Sequence, residues 1–274
     1  MKKRSSLNLH LLLRFGLVAT LPVAIIAILL LALVLPQLHQ YMAHQQKSMA
    51  HAVADQISAH LSGGENKLLS LSRFLAKQPE WHPPLVNGLL DSHCGSGKLF
   101  ETIYIASTLD KYIRFIGMAD KQKDSNRLQR EDMQGLDLSS RPFMESKADY
   151  KGPLWTETFL STASSRLTVA VTVPVTEHYV LIGEIPLKRF SQYISQLPTQ
   201  GNIVILVLDK NDHIVADSKQ LLWGRHFSFP DVVSDHPEKI NPSLSLSLEM
   251  GGQRMLGTKV EVPNLRWSVL IAQP

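Results

Sequence analysis

The chain has one cysteine, Cys94, in 274 residues. That excludes an internal disulfide framework and any cysteine-rich zinc module. It also lacks the sequence marks of the common enzyme classes. There is no G-x-S-x-G elbow and no HExxH pair, and HCGSGKL (93–99) misses the spacing of a phosphate-binding loop, so it reads as a glycine turn. His51 and Asp55 could share a helix face, but no third or fourth ligand accompanies them. No catalytic residue, metal site or cofactor is therefore expected, and the chain is not read as an enzyme. Acidic residues are missing altogether from residues 1–36, which carry Lys2, Lys3, Arg4 and Arg14. The chain has 28 basic and 24 acidic residues, so the portion after residue 36 is formally neutral. A nucleic-acid binder needs a basic face on its folded part, and none is expected here.

What is present begins with FGLVATLPVAIIAILLLALVL, 21 uncharged residues from Phe15 to Leu35. At about 1.5 Å per residue such a helix spans a hydrocarbon core of roughly 30 Å. The run is longer than the apolar region of a signal peptide, and LVLPQLHQYM after it offers no small-x-small cleavage site. An uncleaved transmembrane helix over 15–35 is expected. The positive-inside rule then puts residues 1–14 in the cytoplasm and the rest beyond the membrane.

Apolar residues at Met42, Met49, Val53, Ile57, Leu61, Leu68, Leu71 and Leu75 recur at helical spacings, which predicts a stalk helix over 37–79. Gly63-Gly64 interrupt the stripe and predict a bend. The stripe suits packing on the following domain or on a second copy, a homodimer through the stalk. From about Leu85 the pattern changes to short strands. FETIYIAS (100–107) and YIRFIGMA (112–119) form one pair, and RLTVAVTVPV (166–175) with YVLIGEIPL (179–187) another. KRFSQYISQL (188–197) has helical spacing. NIVILVLDKNDHIVADS (202–218) reads as strand, turn and strand, followed by strands in 244–250, 252–261 and 266–274. The fold class is α+β, with antiparallel-sheet modules over 80–197 and 198–274.

This order, together with four segments, resembles the double Cache sensor domains of bacterial receptors, whose two modules are PAS-like. LDLSSRPF (136–143) is similar to the family's pocket-loop entry and VAVTVPV (169–175) to its strand ending in Pro-Val. LIGEIPLKRF (181–190) is similar to the strand leading into the inter-domain helix, and VLDKNDHIVADS (207–218) to the hairpin of the second module. The resemblance implies an extracytoplasmic sensor at the bacterial inner membrane, facing the periplasm. Such a sensor binds a small organic ligand (amino acid, amine or carboxylate-like) in the distal module and signals to an output domain in a longer receptor. The output would be a kinase, a cyclic-dinucleotide enzyme or a chemoreceptor. SGGEN (62–66) is not such an enzyme's GGDEF motif.

By the same resemblance Arg141 matches the arginine that contacts ligand carboxylates, as its planar guanidinium suits. Phe143 stands where amino-acid-binding members carry Trp, and Glu184 where amine-recognising members carry Asp. Met144 replaces a Tyr, so the complete amino-acid motif is absent. Tyr104 and Trp155 are further aromatic candidates for the pocket. Each has a plain alternative: Arg141 pairing with Asp137 or Glu145, the aromatics packing in the core. The competing function is a membrane-anchored extracytoplasmic interaction module without a small ligand; an anchored hydrolase is weaker still.

Overall fold

A computed structural model of the chain describes Thr20, Pro22, and residues 25–26, 28–95, 97–118, 130–145, 152–198, 202–220, 243–250, 253–263 and 265–273. It divides into two units, Met1–Met49 and Ala50–Pro274. In the first, a π-helical turn at Leu30–Val34 precedes the start of the long helix α1 (Leu35–Ala76), whose residues from Ala50 on belong to the second. Much of the apolar run expected to cross the membrane lies outside the described residues. Among the described residues no helix is long and apolar enough to do so. Ile25, Ile26, Ile28, Leu29, Leu30 and Leu33 are all largely exposed.

In the second unit the helical stripe is buried as its spacing predicts, from Val53, Ile57 and Leu61 to Leu68, Leu71 and Leu75. The helix is not interrupted at Gly63-Gly64, since α1 runs through both. Gly64 serves close approach instead. A Cβ there would lie 2.2 Å from Leu99 Cδ2 and 3.3 Å from Phe100 Cζ. Helix α2 (Pro83–Asp91) stands where the change to short strands was expected, near Leu85. Its two leading prolines sit where backbone N–H groups have no helical partner, so they do not oppose the helix.

A six-stranded antiparallel sheet follows. It comprises β1 (Thr102–Ser107), β2 (Ile113–Met118), β3 (Leu154–Trp155), β4 (Phe159–Leu160), β5 (Leu167–Thr176) and β6 (Tyr179–Pro186). The order is β2-β1-β6-β5-β3, with β4 also on β5. One-turn helices α3 (Arg130–Met133) and α4 (Pro142–Glu145) stand between β2 and β3. Every residue of β1 is buried, and all of β6 except Tyr179, so both faces of the sheet centre are covered. The edge strand β2 is closed by α2. Asn87 Oδ1 accepts from Ile116 N at 3.1 Å, and Asp91 Oδ1 from Met118 N at 2.9 Å. These bonds satisfy edge donors that would otherwise invite another strand. Arg130 donates to both carboxylate oxygens of Asp91.

Helix α5 (Leu187–Ser195) leads to the second sheet. This holds β7 (Val204–Leu208), β8 (Ile214–Asp217), β9 (Ser243–Met250), β10 (Gln253–Glu261) and β11 (Ser268–Gln273), in the order β8-β7-β11-β10-β9 and antiparallel throughout. The strand pairs and the helix expected from sequence are thus present, while α2, β3 and β4 were not anticipated.

This packing makes two outcomes measurable. A Cβ on Gly183 would lie 2.7 Å from Phe100 and 2.8 Å from Leu68, so Gly183→Ala should lower stability by about 1–3 kcal/mol in urea denaturation. An unchanged midpoint would mean that this contact yields freely. Cys94 is buried, and burial pushes its thiol up to about 12. Thiolate is the reactive form, so iodoacetamide at pH 8 should label the unfolded chain and spare the native one.

Candidate functional site

Alternation along β6 divides its side chains between two faces. Val180, Ile182 and Glu184 point one way; Leu181, Gly183 and Ile185 point the other. Glu184 stands opposite Thr102 on β1 and Ala170 on β5, and Tyr104 stands opposite Ile182. Tyr104 and Glu184 are therefore diagonal neighbours on one face. Tyr104 donates to Glu184 Oε1 at 3.1 Å, and Ser161 donates to Glu184 Oε2 at 2.6 Å. The Ser161 oxygen itself accepts from Ala163 N and Ser164 N at 3.1 and 3.2 Å, which leaves its proton for Glu184. All three side chains are buried.

Burial drives the Glu184 carboxyl above the ordinary carboxylate range. The Ser161 and Tyr104 hydrogen bonds and the Arg141 charge oppose this without cancelling it. Burial, with the neighbouring Glu184 charge, raises the Tyr104 phenol well above its usual value.

Arg141 precedes α4 in a turn closed by its own N–H on Leu138 O at 2.9 Å. Its guanidinium donates to Thr162 Oγ1 and lies 5.5 Å from the centre of the Phe159 ring, a cation–π contact. It is half-buried, and no carboxylate among the described side chains bonds to it; Glu145, the other alternative partner, lies outside them. The alternative pair with Asp137 is not formed, because that carboxylate accepts from the backbone and hydroxyl of Ser139. Phe143 is buried, with its ring 5.4 Å from Phe159.

Four of the five residues expected from sequence thus meet through residues 159–162. Trp155 does not join them. It pairs with Val171, which pairs with Gly183, and so belongs to the opposite face. There its indole donates to Glu65 Oε2 of α1 at 3.1 Å and meets Trp267 edge-on at 5.5 Å. Phe159, Ser161 and Thr162 were missed. Their stretch reads as a serine-rich turn, and nothing in its spacing marks it as part of the site.

A cleft of about 390 Å³ opens on the Glu184 side of the sheet, at the β5–β6 hairpin end. Leu109, Met144, Pro174, Glu177, Tyr179 and Val180 line it. Met144 belongs to the same turn as Arg141, through Met144 N on Arg141 O at 2.9 Å. In the second sheet the Asp209 carboxylate accepts from Asn211 N and His213 N at 2.8 and 2.9 Å, which closes the β7–β8 turn. Among the described residues no three His, Cys, Asp or Glu side chains converge as metal ligands.

The raised Glu184 carboxyl has a definite sign for stability. Its folded form holds the proton more tightly than the unfolded chain does. The contribution is complete below the ordinary carboxylate range and is lost as pH rises through the raised folded value. Wild type should therefore lose stability relative to Glu184→Gln as pH increases over that interval, then run parallel. Urea denaturation from pH 4 to 8 measures this; curves parallel throughout would contradict it.

No protein-family model and no curated protein sequence matches the chain. Solved structures do. The extracellular domain assigned to a histidine kinase, rpHK1S-Z16, superposes with a TM-score of 0.67 at 16% identity, covering 85% of this chain and 95% of that one. The ligand-binding domain of the Pseudomonas fluorescens chemoreceptor CtaA, solved with L-isoleucine, gives 0.62 at 15%, covering 86% and 94%. That of the Pseudomonas aeruginosa chemoreceptor PctB, solved with L-arginine, gives 0.61 at 18%, covering 86% and 95%. At these identities the likeness concerns the fold: the chain shares the two-sheet architecture found in the ligand-binding domains of sensory receptors.

Proposed function

We propose that this chain is the extracytoplasmic sensing region of a membrane-bound signalling receptor and recognises a small organic carboxylate on the Arg141 side of its six-stranded sheet. The carrying observation is Arg141 itself. It is half-buried, held by Thr162 and Phe159, and without a carboxylate partner among the side chains the structure describes, which do not include Glu145. A guanidinium so placed offers two parallel donors to a carboxylate. The fold shared with amino-acid-binding chemoreceptor domains supports the same reading.

The uncharged run Phe15–Leu35 and the basic residues before it support a single span of the bacterial inner membrane, with 1–14 cytoplasmic and the sheets periplasmic. In this reading residues 37–79 form the stalk, 80–197 the distal module and 198–274 the proximal one. A homodimer through the stalk would supply the two discrete arrangements a switch needs. The route from the pocket is short. Residues 159–162 touch Arg141 and Glu184, while Trp155 in the same segment bonds to Glu65 of α1. Glu157 pairs with Lys210 of the second sheet's hairpin at 2.6 Å.

A thermal-shift screen of the whole chain in detergent micelles, against amino acids, amines, organic acids and purines, tests this. A ligand that binds only the folded state adds roughly 2.7 kcal/mol at 100 times its Kd. At least one carboxylate should raise the midpoint, and Arg141→Ala should abolish that response. Were no compound to act, or the variant to respond like wild type, the interaction module would become the better reading.

A further inference from the structure

We infer that the Arg141 site selects carboxylates that carry no α-ammonium group, because the buried acid beside it among the described residues, Glu184, is already enclosed and hydrogen-bonded by Tyr104 and Ser161. This rests on the reading of Arg141 as the carboxylate anchor and goes beyond it by naming the ligand class. An ammonium group brings a full charge and three N–H donors. Taken out of water, it is strongly disfavoured unless acceptors, preferably anionic, replace its hydration.

Glu184 is the acid that could do so, and its geometry is closed. Oε1 accepts from Tyr104 and Oε2 from Ser161. The Ser161 hydroxyl cannot turn away, since its oxygen is fixed by two backbone N–H groups at 3.1 and 3.2 Å. Glu184 is 4% exposed, Tyr104 2% and Ser161 1%. Phe143, Met144 and Ala163 belong to the same packed cluster over this face. An incoming ammonium would have to displace this packing to reach the carboxylate's remaining lone pairs.

Other acids nearby whose side chains the structure describes do not replace it. Asp137 is exposed and turned onto Ser139. Glu157 pairs with Lys210. Glu177 is exposed at the cleft, where an ion pair contributes little. Beside Thr108, Thr176 and Tyr179, the cleft's walls at Leu109, Met144, Pro174 and Val180 are apolar and suit a short branched hydrocarbon body. Arg141 does not itself line the cleft and joins it only through the Met144 turn, so a branched-chain organic acid is the probe that tests both features together.

Three compounds on one carbon skeleton separate the possibilities: 4-methylpentanoate, L-leucine, which adds the ammonium, and 3-methylbutylamine, which has no carboxylate. Each is titrated calorimetrically into the whole chain in micelles. The acid should bind at least about tenfold more tightly than leucine, the amine should give no binding heat, and Arg141→Ala should remove the acid's binding. Leucine binding within tenfold of the acid, or more tightly, overturns the selectivity and leaves Arg141 as the anchor. Binding by the amine alone, by none of the three, or by the acid equally to Arg141→Ala, overturns the anchor and the selectivity together.

Discussion

Burial of β6 on both faces is the constraint on which the rest of the molecule depends. A strand covered on one side can alternate apolar and polar residues, but one covered on both must make every side chain acceptable to an interior. Two consecutive positions of β6 solve different problems. Gly183 carries no side chain, which lets Phe100 and Leu68 of α1 come within a distance that any Cβ would obstruct. Glu184, facing the other way, brings a carboxyl into the interior, tolerable only because Tyr104 and Ser161 both donate to it. The helix face and the pocket face of the sheet are thereby fixed by one strand, back to back.

Such an arrangement couples the two faces through few atoms. The segment from Leu154 to Thr162 passes along the sheet edge and contributes to both. Its later residues hold Arg141 and Glu184; Trp155 reaches α1 and Trp267. Beyond Trp267 the aromatic contacts continue to Phe190 at 6.0 Å and Tyr193, which stacks on His60 of α1 at 3.7 Å. Burial, with the Lys67 charge, lowers the His60 pKa, so this ring favours its neutral form within the stack. Close-packed interiors transmit displacement with little loss. A continuous chain of contacts therefore runs from the segment beside Arg141 to the long helix.

Local signals made much of this fold legible. The β1–β2 and β5–β6 hairpins show as apolar runs around short polar turns, and α5 shows by the spacing of Phe190, Ile194 and Leu197. Spacing also identified the buried stripe of α1, but not the meaning of Gly64, which depends on Leu99 lying across it. Helix α2 was hidden because EWHPPL reads as a stop, although prolines at its first two positions are compatible with a start. Strands β3 and β4, two residues each, are too short to leave a period. Among the candidate site residues, Arg141, Phe143 and Glu184 were accessible through motif position and Tyr104 through its strand. Trp155 could not be assigned to a face without its register against Val171, which is a property of the pairing. Ser161 acquires its role from a turn that presents a hydroxyl to a strand 23 residues later.

The most direct test of carboxylate sensing at Arg141 is native mass spectrometry of the whole chain, released from micelles after exposure to a library of small organic carboxylates. Sensing through Arg141 predicts a discrete bound mass on wild type that is absent from an Arg141→Ala protein of unchanged fold. A bound mass of equal intensity on both proteins, or none on either, would contradict it.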